Sequence, residues 1–289
     1  MTDFDDGVRF FENSEPVLLS EALHDQLNLN YEKFKELLQL GAIYVESDRQ
    51  TKDRWILENS LLRVHTKPRR YMCDYPWRSL IVFQNESFVV LNKPSGVPSH
   101  PLADNVFEDA MTQTSLALKM PLYVTHRLDR LTSGLIVYGK KRQFVKDFNQ
   151  QLMHRQIQKK YVALVEGAKT LPDRLTHSMN PEPGTPKKLA KDLVDGWDLC
   201  QLEILEQKKI SENTTWVKIN LLTGRTHQIR AQMAAVNAPI LGDVLYGSKT
   251  SFLENAIALR SCEIAFNFQG ERVQFELGQD LSFDLSYFI

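Results

Sequence analysis

The sequence predicts an α+β fold: a mixed, largely antiparallel sheet flanked by helices, preceded by a small α/β module. Three observations lead there. Strand-like runs dominate from Ser79 onward ("LIVFQ", "FVVLNK", "LIVYGK", "YVALVEG", "CQLEILEQ", "TWVKINLL"). Helical stretches such as "KRQFVKDFNQQLMHRQ" and "THQIRAQMAAVN" lie between them without a strict βαβ rhythm, which points away from a doubly wound sheet. The chain has 289 residues, of which 43% are hydrophobic, enough for one large domain plus a small one, or for two mid-sized ones. The expected division is residues 1–78 for an acidic tail, the small module and a linker, and 79–289 for the main domain.

In chain order, "MTDFDDGVRFFE" is acidic and lacks the basic segment and apolar run that export needs. No later stretch is long and apolar enough to span a bilayer, so a cytoplasmic protein is expected. Two amphipathic helices follow, with Leu19, Leu23 and Leu27 on the first and Phe34, Leu37 and Leu38 on the second. Gly41 stops the second helix, "AIYVE" reads as a strand, and "WILENSLLRVHT" as another extended piece. This helix, helix, Gly, strand order resembles the S4-like RNA-binding module over roughly residues 17–66. A helical prefix that merely packs on the main domain is the alternative, since the second helix carries Glu32 and Glu36 beside Lys33 and Lys35. The segment "KPRRYMCDYPWR" reads as a linker or as a strap contacting phosphates.

Composition leaves nucleic acid open as a partner. The net charge of −1 means that positive potential would have to come from local patches. Cys73, Cys200 and Cys262 are far apart with no CxxC spacing, which argues against a disulfide framework and a zinc site and fits a reducing compartment. The seven histidines are scattered and no two sit at i, i+4, so metal-free chemistry is expected.

Within "HRLDRLTSG", Asp129 stands between Arg127 and Arg130 ahead of an apolar strand. Nearby positive charge suits a nucleophile or base better than a general acid. A structural ion pair is the competing reading. A protein kinase would show His-Arg-Asp with a downstream Asn, a glycine-rich loop and Asp-Phe-Gly; here Leu128 interrupts the first, and the glycine-rich loop is missing. A glycosidase normally needs two opposed carboxylates, and no second acid stands out. Tyr161, opening the strand in "QIQKKYVALVEG", could stack on a base or belong to the core. In "INLLTGRTHQIRAQM" a strand ends at a Thr-Gly turn, and Arg225, Thr226, His227, Gln228 and Arg230 gather before a helix, suited to phosphates or to one buried carboxylate.

Five blocks in order, "NKPSGVPSHP", "HRLDRLTSG", "KKYVALVEG", "LLTGRTHQIR" and "APILGDVLYG", resemble the RluA family of pseudouridine synthases over roughly residues 79–289. The resemblance implies a cofactor-free isomerase that detaches uracil from C1′ of a uridine within RNA and reattaches it through C5. It places the catalytic aspartate on Asp129, the base-packing tyrosine on Tyr161 and the arginine paired with the aspartate on Arg230. It also places the arginine that enters the RNA helix as the uridine flips out on Arg127, and the apolar residue lining the uracil pocket on Leu259. His126 and Arg225, in the same blocks, are expected to bind substrate. The chain departs from the family pattern at Leu259, Arg260 and Ser261, where Leu-His-Ala is frequent, and at Asn237, where many relatives have His. Such an isomerase needs one positioned acid and no activated water. The implied partner is RNA, ribosomal first and transfer RNA second, with no membrane and no obligate protein partner, the chain being a monomer. An RNA-binding assembly factor that keeps the fold without turnover is the alternative, as is a glycosidase that releases free uracil.

Overall fold

The computed structural model describes residues 7–167 and 170–277, and the chain divides into two units, Met1–Tyr75 with His100–Lys119, and Pro76–Ser99 with Met120–Ile289. The segment His100–Lys119, which the sequence division at 78/79 placed in the main domain, belongs to the first unit. Its anchor is local: Val106 N donates to Leu40 O at 2.9 Å, and Tyr44 Oη donates to Ala103 O at 2.8 Å.

In the first unit the strands are β1 (Val8–Glu12), β2 (Val17–Leu18), β3 (Ile43–Val45), β4 (Asp48–Arg49), β5 (Trp55–Ile56) and β6 (Leu61–His65). Its helices are α1 (Leu19–Leu27), α2 (Tyr31–Leu40) and α3 (Ala110–Leu118). Leucine spacing builds the helical pair, since Leu19, Leu23, Phe34 and Leu37 all turn inward and are buried. The Asn30 side chain caps α2 by accepting from Lys33 N at 2.8 Å. Gly41 ends the helix at φ +65°, where a Cβ would lie 2.7 to 2.9 Å from Val106 and Arg49 side-chain atoms, so glycine is required twice over. Four strands form an antiparallel sheet in the order β1-β6-β3-β4, and Ile43, Val45, Leu62 and Val64 present its inner face to the helices. Residues 8–12, read from sequence as acidic tail, are strand β1: Phe11 packs on this core while Phe10 points away, an alternation too short to register as a strand signal.

The segment read as linker or phosphate strap spends its arginines internally. Arg69 forks onto Asp104 at 2.9 and 2.7 Å, and Arg70 contacts Glu108 and Glu36, each at 2.7 Å. Burial works against the Asp104 charge, but the hydrogen bonds from Arg69 prevail and hold its pKa down at about 2.

The second unit holds β7 (Ile81–Gln84), β8 (Phe88–Lys93), β9 (Tyr123–Val124), β10 (Ser133–Gly139), β11 (Gln158–Glu166), β12 (Arg174–Met179), β13 (Leu189–Ala190), β14 (Asp198–Ser211), β15 (Thr214–Leu221), β16 (Leu259–Phe268) and β17 (Glu271–Glu276). Its α-helices are α4 (Arg142–Met153) and α5 (Gln228–Ala235). One sheet runs in the order β13-β12-β14-β15-β11-β16-β10-β8-β7, with β9 beside β10 and β17 beside β16. Strands β10 and β16 pair in parallel, and the other described pairs in this sheet are antiparallel. Helix α4 covers the sheet through Phe144 and Phe148, which pack with Phe88 and Phe266 in one aromatic cluster.

Gly134 makes the β10/β16 crossing possible. It pairs with Ser261 at φ +105°, and a Cβ there would come 2.2 Å from Ser261 O and 2.8 Å from Ser261 N. The final glycine of "HRLDRLTSG" therefore brings the Asp129 loop against the start of β16.

Candidate active site

Asp129 lies on the loop between β9 and β10, and the preceding block holds that loop rigid. Ser99 Oγ donates to Leu128 O at 2.7 Å and accepts from Leu128 N at 3.0 Å. The buried Lys93 reaches Pro94 O and Val97 O at 2.8 Å and Arg130 O at 3.3 Å, and Gly96 N donates to Arg130 O at 2.9 Å. The loop also closes on itself through Thr132 N to Asp129 O, 3.0 Å. Carbonyls on both sides of Asp129 are thus fixed, leaving its carboxylate about one-quarter exposed.

Opposite stands Arg230 on α5. Its Nη1 is 3.5 Å from Asp129 Oδ2, but its closer partner is Asp243, with Nε to Oδ2 at 2.7 Å and Nη2 to Oδ1 at 2.8 Å. Both residues of this fork are buried. Burial works against the guanidinium charge, yet the hydrogen bonds and charge of Asp243, with that of Asp129, hold its pKa above the ordinary arginine value. The expected pairing of Arg230 with Asp129 is present but secondary; Asp243 positions the guanidinium.

His227 precedes α5 in left-handed conformation at φ +57°. Its Nε2 lies 3.8 Å from Asp129 Oδ2 and its Nδ1 3.2 Å from Tyr246 Oη, which accepts from Lys187 N at 2.9 Å. Burial lowers the His227 pKa; the Asp129 charge opposes this and Arg230 adds to it.

Tyr161 enters from β11, paired with Ser261 where a bulge falls between Lys160 and Tyr161. Burial raises its pKa, and the charge of Asp129 raises it further, so the phenol keeps its proton. Leu259, buried at the start of β16, pairs with Ala163 two residues along. Ile257 N donates to Leu131 O at 3.3 Å, tying the approach to β16 to the Asp129 loop. Asp129, Arg230, Tyr161 and Leu259 therefore come from four separate chain segments to one region of the sheet.

Three expected substrate contacts are placed differently. Arg127 is exposed, and among the described residues no hydrogen bond or ion pair engages its side chain. Arg225 forms an ion pair with Asp198 at 2.9 Å and is half exposed. His126 is engaged within the fold. Its ring stacks on Phe148 and its Nε2 accepts from Val137 N at 3.1 Å; burial, with the Lys159 charge, pushes its pKa down to about 3. That keeps the ring neutral, partly buried between Phe148 and the backbone of β10. Sequence reasoning also missed Asp243 and Tyr246, although both lie in "APILGDVLYG"; the lone Asp there, after a glycine at φ +82°, was the available signal. Among the described residues no group of three or more His, Cys, Asp or Glu side chains is placed to hold a metal ion.

Comparison with known proteins identifies the family. Residues 87–235 match the family described as RNA pseudouridylate synthase. Among curated proteins, the chloroplastic RNA pseudouridine synthase 6 of Arabidopsis thaliana is 38% identical over 210 residues, covering 64% of this chain and 44% of the plant protein. Ribosomal large subunit pseudouridine synthase C of Buchnera aphidicola is 31% identical over 231 residues, covering 78% of this chain and 67% of that relative. The chain thus spans less than half the length of the plant relative and two-thirds of the bacterial one. Human RNA Pseudouridylate Synthase Domain Containing 4 shares the fold with a TM-score of 0.55 at 20% identity, over 70% of this chain and 90% of the human chain. Human RNA Pseudouridylate Synthase Domain Containing 1 has a TM-score of 0.54 at 22% identity, over 69% and 82%. With the family match spanning more than half of the chain, and with the five blocks folded around one carboxylate, this protein belongs to the RNA pseudouridylate synthases, in the RluA family.

Proposed function

We propose that the chain is an RNA pseudouridine synthase that isomerises specific uridines in structured RNA, with Asp129 as its catalytic carboxylate. The observation that carries this reading is the arrangement around that side chain. Its loop is fixed by Ser99 and Lys93, and its carboxylate meets Arg230, whose orientation is set by Asp243. In the reaction the N1–C1′ bond breaks and a C5–C1′ bond forms; C5 loses a proton and N1 gains one, and no water is consumed. Attack at C1′, attack at C6 and elimination to a glycal each use one carboxylate. Tyr161, protonated and buried, packs against the uracil, and Leu259 walls the pocket. Arg230 balances the carboxylate charge. A stacked uridine must first leave its helix, which costs on the order of a few kcal/mol, and the exposed Arg127 fills the space it vacates.

Ribosomal RNA is the first substrate class and transfer RNA the second. The name of the Buchnera relative supports the former. The first unit acts as an S4-like RNA-binding module; its two helices, Gly41 turn and following strand support that role. The working protein is a monomer in the cytoplasm and needs no metal or organic cofactor. Mapping pseudouridines in total RNA from cells with and without the gene tests the reading: loss of one or a few sites is expected, and an unchanged map contradicts it. Release of free uracil by the purified protein would identify a glycosidase instead.

A further inference from the structure

The outer face of the four-stranded sheet in the first unit carries an alternation of aromatic rings and guanidinium groups. Phe10 of β1 pairs with Arg63 of β6, Arg63 with Tyr44 of β3, and Tyr44 with Arg49 of β4. Directly paired residues of neighbouring strands lie on the same face, so these four side chains form one row about 14 Å long. Arg63 lies 3.9 Å from the centroid of the Tyr44 ring and Arg49 lies 4.8 Å from it. Tyr44 is buried beneath the two guanidiniums and against Ala103, whose carbonyl accepts from its Oη, whereas Phe10 is 64% exposed at the open end of the row.

The charges on this row are unequal in their commitments. Arg49 donates to Gly41 O at 2.6 Å and to Leu102 O at 3.2 Å, so it is a structural clamp. Among the described residues the Arg63 side chain has no hydrogen-bond or ion-pair partner, and its Nε is buried without one. A half-buried guanidinium lying over a ring, beside an exposed phenyl group, meets the needs of one nucleotide: a π-face for the base and a cation for the phosphate. Sheet faces bearing aromatics receive two or three unpaired bases in this way. Glu12 is the acid on the adjacent row of the same face, opposite Leu61.

The helical side of the unit offers less. Lys33 is paired with Glu36 at 2.8 Å, Lys35 with Glu32 at 3.2 Å, and Arg70 also contacts Glu36. Helix α2 has therefore neutralised its own cations. We propose that the first unit docks single-stranded RNA on its sheet face, with a base stacked on Phe10 and a phosphate at Arg63, rather than on the face of α2. This inference rests on the reading of the chain as an RNA-modifying enzyme, and it names where that RNA is held apart from the catalytic pocket.

The test uses the full chain and a short, unstructured, fluorescently labelled oligoribonucleotide, with affinity read by anisotropy across a salt series. Phe10→Ala removes an exposed ring and should weaken binding roughly tenfold, without change in melting temperature. Arg63→Gln should lower the slope of log affinity against log salt by about one. Lys33→Ala with Lys35→Ala should change affinity less than about twofold by the same reasoning. Tritium release from C5-labelled RNA, followed in parallel, keeps the two readings distinct. Weakened oligonucleotide binding by Phe10→Ala when the wild type releases no tritium would support the docking face and sink the enzymatic reading. Wild-type affinity in Phe10→Ala, whatever the tritium result, would overturn the docking face. So would loss of binding in the α2 variants alone, or self-association of the wild type, seen in sedimentation, that Phe10→Ala abolishes. Should Arg63→Gln unfold, Phe10→Ala still decides.

Discussion

Arg230 grips Asp243 more closely than it grips Asp129: two contacts of 2.7 and 2.8 Å to the former, one of 3.5 Å to the latter. The arginine is thereby aimed by one carboxylate and offered to another. Asp129 gains a fixed counter-charge without being closed in a tight fork, and its carboxylate stays about one-quarter exposed, as the proposed role in catalysis requires.

Removing Asp243 should consequently cost more than removing a surface acid. Asp243→Ala leaves a buried guanidinium without its main partner, and a loss of roughly 3 to 5 kcal/mol is expected. Arg230→Ala should cost a similar amount, and the double variant far less than the sum. Urea unfolding of the three proteins gives the coupling; additive losses would mean that the fork is energetically idle. Asp243→Asn, which keeps volume and an acceptor, should fold and show slow single-turnover isomerisation.

Arg127 behaves oppositely if it faces RNA. Its exposure and lack of described partners predict that Arg127→Ala melts as wild type but turns over slowly on a structured substrate. The defect should shrink when the target uridine is already unstacked, because flipping is then cheap. Equal defects on both RNAs would assign Arg127 to the chemical step instead.

Gly134→Ala tests the strand crossing that delivers the Asp129 loop. A methyl group 2.2 Å from Ser261 O cannot be accommodated without moving backbone, and φ of +105° strains any side chain. Destabilisation of roughly 3 kcal/mol or more is expected in denaturant titrations, with activity lost even at temperatures where the variant is folded. A variant as stable and active as wild type would show that the two strands can separate freely.

Much of this is legible in the sequence, and the limits have physical causes. Strand content and the two leucine-patterned helices follow from periodicity, because the period of a buried face is local information. Asp129, Tyr161 and Arg230 are singled out by the resemblance of their blocks to the RluA family; local sequence alone leaves Asp129 open between a nucleophile and an ion pair, and Tyr161 between a stacking and a core residue. Asp243 is not singled out, since the partner of a buried arginine is set by tertiary packing across a separate turn and leaves no periodic trace. The contact of His126 with the Phe148 ring is likewise set by tertiary packing and leaves no trace in the local sequence. The Phe10–Arg63–Tyr44–Arg49 row was invisible for a related reason: strand register, not sequence order, assembles it.

The buried helix cap Asp109 gives a pH signature to the first unit. Its Oδ1 accepts from Thr112 N at 2.9 Å, while Oδ2 is buried without a hydrogen-bond partner among the described residues. Burial raises its pKa from 3.8 to about 6. Between those values the folded state holds more protons than the unfolded one, so this group's contribution to stability falls as pH rises through the window and stays lost above it. Asp109→Asn keeps the cap acceptor and should flatten that slope, gaining roughly 1 to 3 kcal/mol at neutral pH relative to pH 4. Identical pH dependence in variant and wild type would place the charge in water.

The measurement that reaches the central claim most directly is tritium release from C5-labelled uridine in RNA by the wild type and by Asp129→Asn. The substitution keeps volume and hydrogen bonding while removing the anion, so the account predicts a folded variant that binds RNA and releases no tritium above background, beside a wild type that does. A folded Asp129→Asn protein releasing tritium at a rate within about tenfold of wild type would contradict it, because a group worth less than about 1.4 kcal/mol to the barrier is not the one that breaks the glycosidic bond.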